Sequence, residues 1–90
     1  MAKSNEGHRQ RLREKFLNSG LDGFHDYEII ELLLTLGTPR TDCKQPAKDA
    51  LKKWGSLKAV LEAPPKELKK IKGIGDHNVF GLKLTQDVAR

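Results

Sequence analysis

The chain predicts an all-α fold of five to six short helices, and three observations predict it. Its apolar residues recur at three- and four-residue spacing, rather than alternating with polar ones as in a half-buried strand. The periodic segments are punctuated by capping residues, prolines and glycines of the kind that start and stop helices. A pattern of acid, apolar helix, glycine turn and capping aspartate occurs twice, at residues 31–42 and 67–76, so the helices are expected to form a paired, pseudo-duplicated hairpin domain.

Taken in order, the first helix runs from His8 to Asn18, with Leu12 and Phe16 four apart and Ser19-Gly20 as its stop. Arg9, Arg11, Arg13 and Lys15 occupy its other face. The second starts at the cap Asp26 and ends before Gly37. Tyr27, Ile29, Ile30, Leu32, Leu33, Leu34 and Leu36 cover nearly its whole circumference, which marks a buried central helix. Asp42 caps a third helix that reaches Trp54 and stops at Gly55, with Pro46 in the first turn, where a missing N–H costs little. Ser56 caps a short fourth helix, Leu57 to Glu62, whose Leu57, Val60 and Leu61 face inward, and Pro64-Pro65 ends it. Pro65 then opens a short helix that a glycine turn joins to the last one, Asp76 to Arg90. There Phe80, Leu84 and Val88 stand at four-residue spacing beside Val79 and Leu82. No stop signal precedes Arg90, as in a fragment of a longer protein or a helix whose last turn frays.

Ninety residues, 37% apolar and 32% charged, make one soluble domain with a modest core. No segment has the length of a membrane span, and Met1-Ala2-Lys3-Ser4-Asn5-Glu6 lacks the apolar centre of a signal peptide, so a cytoplasmic protein with no membrane partner is expected. The single cysteine, Cys43, excludes an internal disulfide and fits a reducing compartment. The net charge of +5 is unevenly spread. Residues 1–25 carry five basic and three acidic groups, 26–62 six of each, and 63–90 six against three. If the two ends meet in the fold, their fields add into a surface that favours a polyanion.

The most informative stretch is Leu68-Lys69-Lys70-Ile71-Lys72-Gly73-Ile74-Gly75-Asp76: a helix end, a turn with two glycines and a helix start run together. Glycine admits φ > 0 and the close approach of another backbone. A helix beginning at Asp76 leaves free N–H groups and a positive dipole end beside the turn, which together form an anion site. With Lys66, Lys69, Lys70 and Lys72 around it, the natural anion is nucleic-acid backbone. The pattern resembles a helix-hairpin-helix motif, clear over residues 65–90 and degenerate over about 28–54, where Arg40 lies in the turn that lacks the second glycine. The candidate DNA-contacting residues are therefore Lys70, Lys72, Gly73, Ile74, Gly75, His77, Asn78 and Arg40. Gly73, Ile74 and Gly75 would offer N–H groups, and Lys70 and Lys72 charge.

Catalytic chemistry is not indicated. His8, His25, His77 and Cys43 do not stand at metal-ligand spacing, and Glu28 with Glu31 reads as a solvated acidic stripe rather than a general acid and base. No nucleophile elbow or Walker loop occurs, so no catalytic residue, metal or cofactor is assigned. Trp54 reads as an anchor beneath a short connector rather than a base-stacking platform.

Gly7-His8-Arg9-Gln10-Arg11-Leu12, Asp26-Tyr27-Glu28-Ile29-Ile30-Glu31-Leu32-Leu33-Leu34, Trp54-Gly55-Ser56-Leu57 and Lys72-Gly73-Ile74-Gly75 resemble, in this order, the N-terminal region of RadC proteins. The resemblance covers nearly the whole chain. It implies a bacterial, all-helical domain that precedes a JAB-type metalloprotease-like domain, under a DNA-repair label. One departure is evident: strong DNA-binding hairpins of this kind usually carry a lysine two or three residues after the last glycine, where this chain has His77 and Asn78, and Asp76 adds a negative charge. The resulting expectation is weak, non-sequence-specific binding of DNA backbone by a module that is not itself an enzyme. The alternative, a docking module for the C-terminal domain of the full-length protein in which the glycine turn is mere structure, remains open.

Overall fold

The computed structural model describes residues 2–38 and 42–89, with side chains from residue 7 onward. Six α-helices follow in order: α1 (Ala2–Ser19), α2 (Asp26–Leu34), α3 (Lys44–Trp54), α4 (Leu57–Glu62), α5 (Pro65–Leu68) and α6 (Asp76–Ala89), with a single 3₁₀ turn, Thr35–Gly37, extending α2. Among the described residues there is no strand, as the periodicity predicts.

The expected punctuation acts largely as read. Gly20 and Gly55 end α1 and α3 in the left-handed conformation, with φ of 68° and 87°. Ser56 Oγ accepts from the Ala59 amide to open α4, and Pro65 stands in the first turn of α5. Two caps differ. The N-cap of α2 is His25 rather than Asp26, its amide donating to Glu28 Oε1 at 2.9 Å. That of α3 is Cys43, while Asp42 Oδ1 accepts the Lys44 amide. The first helix starts six residues earlier than expected, because nothing between Ala2 and Gly7 breaks a helix once a following turn nucleates it.

α2 is the central helix, in contact with α1, α3, α4 and α6. Ile30 and Leu34 of α2, Ala47 and Ala50 of α3, Val60 of α4, Leu68 of α5, Ile74 of the last turn and Leu82 of α6 form the buried cluster. Burying each large member contributes on the order of 1.5–3 kcal/mol. Trp54, Leu57, Leu61 and Ile71 close over its edge, so Trp54 does anchor the connector.

The two hairpins, α2–α3 and α5–α6, pack in reciprocal fashion. Gly37, in the turn after α2, lies so close to the first turn of α6 that a Cβ there would overlap the His77 carbonyl. Gly73, in the turn before α6, packs in the same way on the first turn of α3, where a Cβ would sit 2.5 Å from Pro46 Cγ. Each turn thus covers the start of the other hairpin's second helix.

The outer faces correct the expectation. Phe80, Leu84 and Val88 do not enter the core but stand exposed, because α6 is held in another rotation. Buried Asn78 is hydrogen-bonded at its start, and Lys83 Nζ donates to the Leu61 and Ala63 carbonyls at 2.9 Å each, meeting the negative end of α4. With those two residues anchored inward, Val79 and Leu82 reach the core and the 80-84-88 stripe faces out. Leu36 is likewise exposed, in the 3₁₀ turn. Glu31, read as solvated, is 1% exposed in α2, with His8 Nε2 of α1 2.8 Å from its Oε2.

Candidate nucleic-acid interface

The turn between α5 and α6 follows from its residues. Pro64 and Pro65 fix the entry to α5, Leu68 and Ile74 are buried on either side of the turn, and Gly73 adopts φ 95°. A residue with a Cβ pays about 1–2 kcal/mol in that conformation. Gly75 is not in it: the second glycine instead lets the His77 imidazole lie against the backbone, with Nδ1 3.3 Å from where a Cβ would be.

Asn78 organises the turn from within. Fully buried, it accepts the Gly75 amide at Oδ1 (2.9 Å) and donates through Nδ2 to the Gly73 carbonyl (2.9 Å) and to Thr38 Oγ1 (2.8 Å). It therefore ties the second hairpin to the first, and it is an internal clamp rather than a surface contact. The amides expected to face a phosphate divide accordingly. Ile74 N–H donates to the Ile71 carbonyl and Gly75 N–H to Asn78, so both are engaged inside the turn. The Gly73, Asp76 and His77 amides donate to nothing among the described residues. They mark the available anion position, at the start of a 14-residue helix.

The two ends of the chain come together only along a groove, where Arg13, Phe16 and Leu17 of α1 face Thr85 of α6. α1 packs on α2, while the α5–α6 turn packs on α3 through Gly73 and Pro46. Of the α3 lysines, Lys53 comes next to α5 at Glu67, while Lys48 lies over the Tyr27 ring of α2; residues 42–54 and 65–77 together carry eight lysines against four acids. Lys69 bonds Asp76 at 2.8 Å, and that bond holds the exposed Asp76 carboxyl below its usual range. Lys70 and Lys53 approach Glu67 at 3.2 and 3.9 Å. Exposed pairs of this kind contribute little and exchange readily for another anion. Lys72 and His77 are exposed beside Gly73, whereas Arg40 lies outside the described residues. Lys53 was missed as a neighbour of this region because only the tertiary approach of α3 to α5 brings it there. Asn at the third position of a helix that follows a glycine turn was the available signal for the clamp.

Among the described residues no three His, Cys, Asp or Glu side chains gather as metal ligands would. None of their helices is long and apolar enough to cross a membrane.

Fold and site together define a small all-α module: two interlocked helical hairpins with a lysine-rich turn at one end. By sequence the chain belongs to the UPF0758 N-terminal family, whose pattern matches residues 5–80. It is 51% identical over 82 residues to a UPF0758 protein of Fusobacterium nucleatum subsp. nucleatum, covering 91% of this chain and 35% of that one. It is 39% identical to a UPF0758 protein of Ruegeria pomeroyi (88% of this chain, 35% of that one) and 40% identical to one of Rhodobacter capsulatus (88% and 37%). The chain thus spans about a third of the length of these curated relatives. No solved structure matches it.

Proposed function

We propose that the α3 and α5–α6 end of the domain binds the phosphate backbone of duplex DNA, weakly and without base preference, as a helix-hairpin-helix element of a RadC-like, DNA repair-associated protein. The observation that carries this reading is the group of open Gly73, Asp76 and His77 amides at the start of α6, beside the exposed Lys72. In this reading the Gly73, Asp76 and His77 amides meet one phosphate, Lys72 and Lys66 supply charge to it and its neighbour, and Lys53, next to Glu67 of α5, extends the track. Lysines and amides contact phosphate and carry no sequence information, so affinity should not depend on base order. Asp76, neutralised by Lys69, keeps binding weak.

Titrating the ¹⁵N-labelled chain with a short duplex tests this. Shifts should concentrate at residues 72–77, and with about three or four phosphates neutralised, raising salt from roughly 50 to 200 mM should weaken binding on the order of 40- to 150-fold. Lys72→Glu should bind at least several-fold more weakly while remaining folded. Affinity indifferent both to salt and to Lys72→Glu would eliminate the reading.

A further inference from the structure

A groove of about 530 Å³ lies between the C-terminal half of α1, the outer side of α2 and α6. Phe16, Leu17, Leu21, Leu32 and Leu36 line it, and among the described residues Arg13 is its only charged lining residue. Leu17 is 79% exposed and Leu36 65%. Thr85 brings α6 to its edge, and on α6 itself Phe80, Leu84 and Val88 form a second bare apolar stripe. Among the described residues, seven large apolar side chains are thus exposed. Large apolar side chains left bare along a groove and an adjoining helix are the mark of an interaction surface.

What covers it is indicated by the relatives. This domain is N-terminal in its family and fills only 35–37% of the relatives' length, so in them roughly twice as much polypeptide again follows it. Continuing polypeptide leaves from α6, the helix that carries the bare stripe and borders the groove. A covalently attached partner meets the face at an effective concentration near millimolar, enough to keep it covered without a large interface. We infer that the groove and the α6 stripe are the docking face for the chain that follows this domain in its longer UPF0758 relatives, through an apolar surface bearing a carboxylate opposite Arg13. This inference is independent of DNA binding at the lysine-rich turn.

Thiol accessibility tests it, because the native Cys43 is buried and burial raises its thiol pKa, leaving a quiet background. Leu36→Cys is prepared in the 90-residue chain and in the same chain fused to the remaining two thirds of the Fusobacterium nucleatum relative. The fused form should react with a thiol reagent at least tenfold more slowly, whereas Lys72→Cys should react equally in both. Equal rates for Leu36→Cys would overturn the inference. So would protection in the isolated chain that rises with concentration alongside a doubled sedimentation mass, which would assign the face to a second copy. If the fusion does not fold, the methyl resonances of Leu17, Leu36 and Val88 in the isolated chain are followed on adding the separately produced remainder. Shifts confined to this face support the inference, and none at saturating excess overturns it.

Discussion

The two glycine turns occupy reciprocal places and need glycine for different reasons. Gly37 has an ordinary φ and no room: the backbone of α6 fills the space where its side chain would be. Gly73 has a left-handed φ, is itself exposed, and touches only the side chain of Pro46. The first turn is a packing joint, buried against its partner hairpin. The second is a conformational corner whose outer side stays open, and only a corner of that kind can double as a binding surface.

Substituting the joint should break this arrangement most. Gly37→Ala would force the α2 turn off α6 backbone, which cannot yield as a flexible side chain can, and a loss of about 3 kcal/mol or more is expected in denaturant unfolding. A loss below about 1 kcal/mol would mean that the hairpins do not interlock at this point. Asn78→Ala comes next. It removes the side chain that joins both turns and leaves the Gly75 amide and Thr38 hydroxyl short of a partner, at about 2–3 kcal/mol. Because that clamp also orders the turn, amide exchange at Gly75 should quicken well beyond the change in global stability.

The corner itself is sharpened by two matched substitutions. Gly73→Ala should cost about 2–3 kcal/mol, through its φ and through overlap of the new Cβ with the Pro46 ring, while Gly75→Ala, whose φ is not left-handed, should cost under about 1 kcal/mol once the His77 ring gives way. Equal losses would show that the second glycine carries a strain the structure does not assign to it.

An effect of similar size to that at Gly75 concerns the contact of α1 with Glu31 on the first hairpin. Burial pushes the Glu31 carboxyl above its usual range, and the His8 contact works against that shift. An acid whose folded pKa is raised stabilises fully at pH below its unfolded value, near 4.5, and loses that contribution as pH rises through the folded value. Among the described residues Glu31 Oε1 accepts no hydrogen bond, so His8 is the group that offsets the buried charge. His8→Ala should therefore cost about 1 kcal/mol at pH 7 and less at pH 4, where the carboxyl holds its own proton. A cost that is the same at both pH values would place His8 outside the Glu31 balance.

Much of this was legible in the residues. Helix positions follow from glycine, proline and serine signals that act through local φ/ψ and the first or last turn, which is why Gly20, Gly55, Ser56 and Pro65 behave as read. The pairing of hairpins was visible as a repeat of acid, apolar helix and glycine. The lysines nearest Gly73 were visible too, being neighbours in the chain. Helix rotation was not. Phe80, Leu84 and Val88 have the spacing of a core stripe as good as that of Asn78 and Leu82, and period alone cannot choose between two apolar faces of one helix.

What the sequence alone determined, then, is an all-α chain, its breakpoints and a basic glycine turn, because each rests on interactions within a few residues. Tertiary structure decided which face of α6 is covered, that Asn78 works inside the turn, that Glu31 is buried against His8, and that Lys53 of α3 reaches α5. Those outcomes depend on contacts between segments as much as 40 residues apart, such as Asn78 to Thr38, whose geometry no local periodicity encodes.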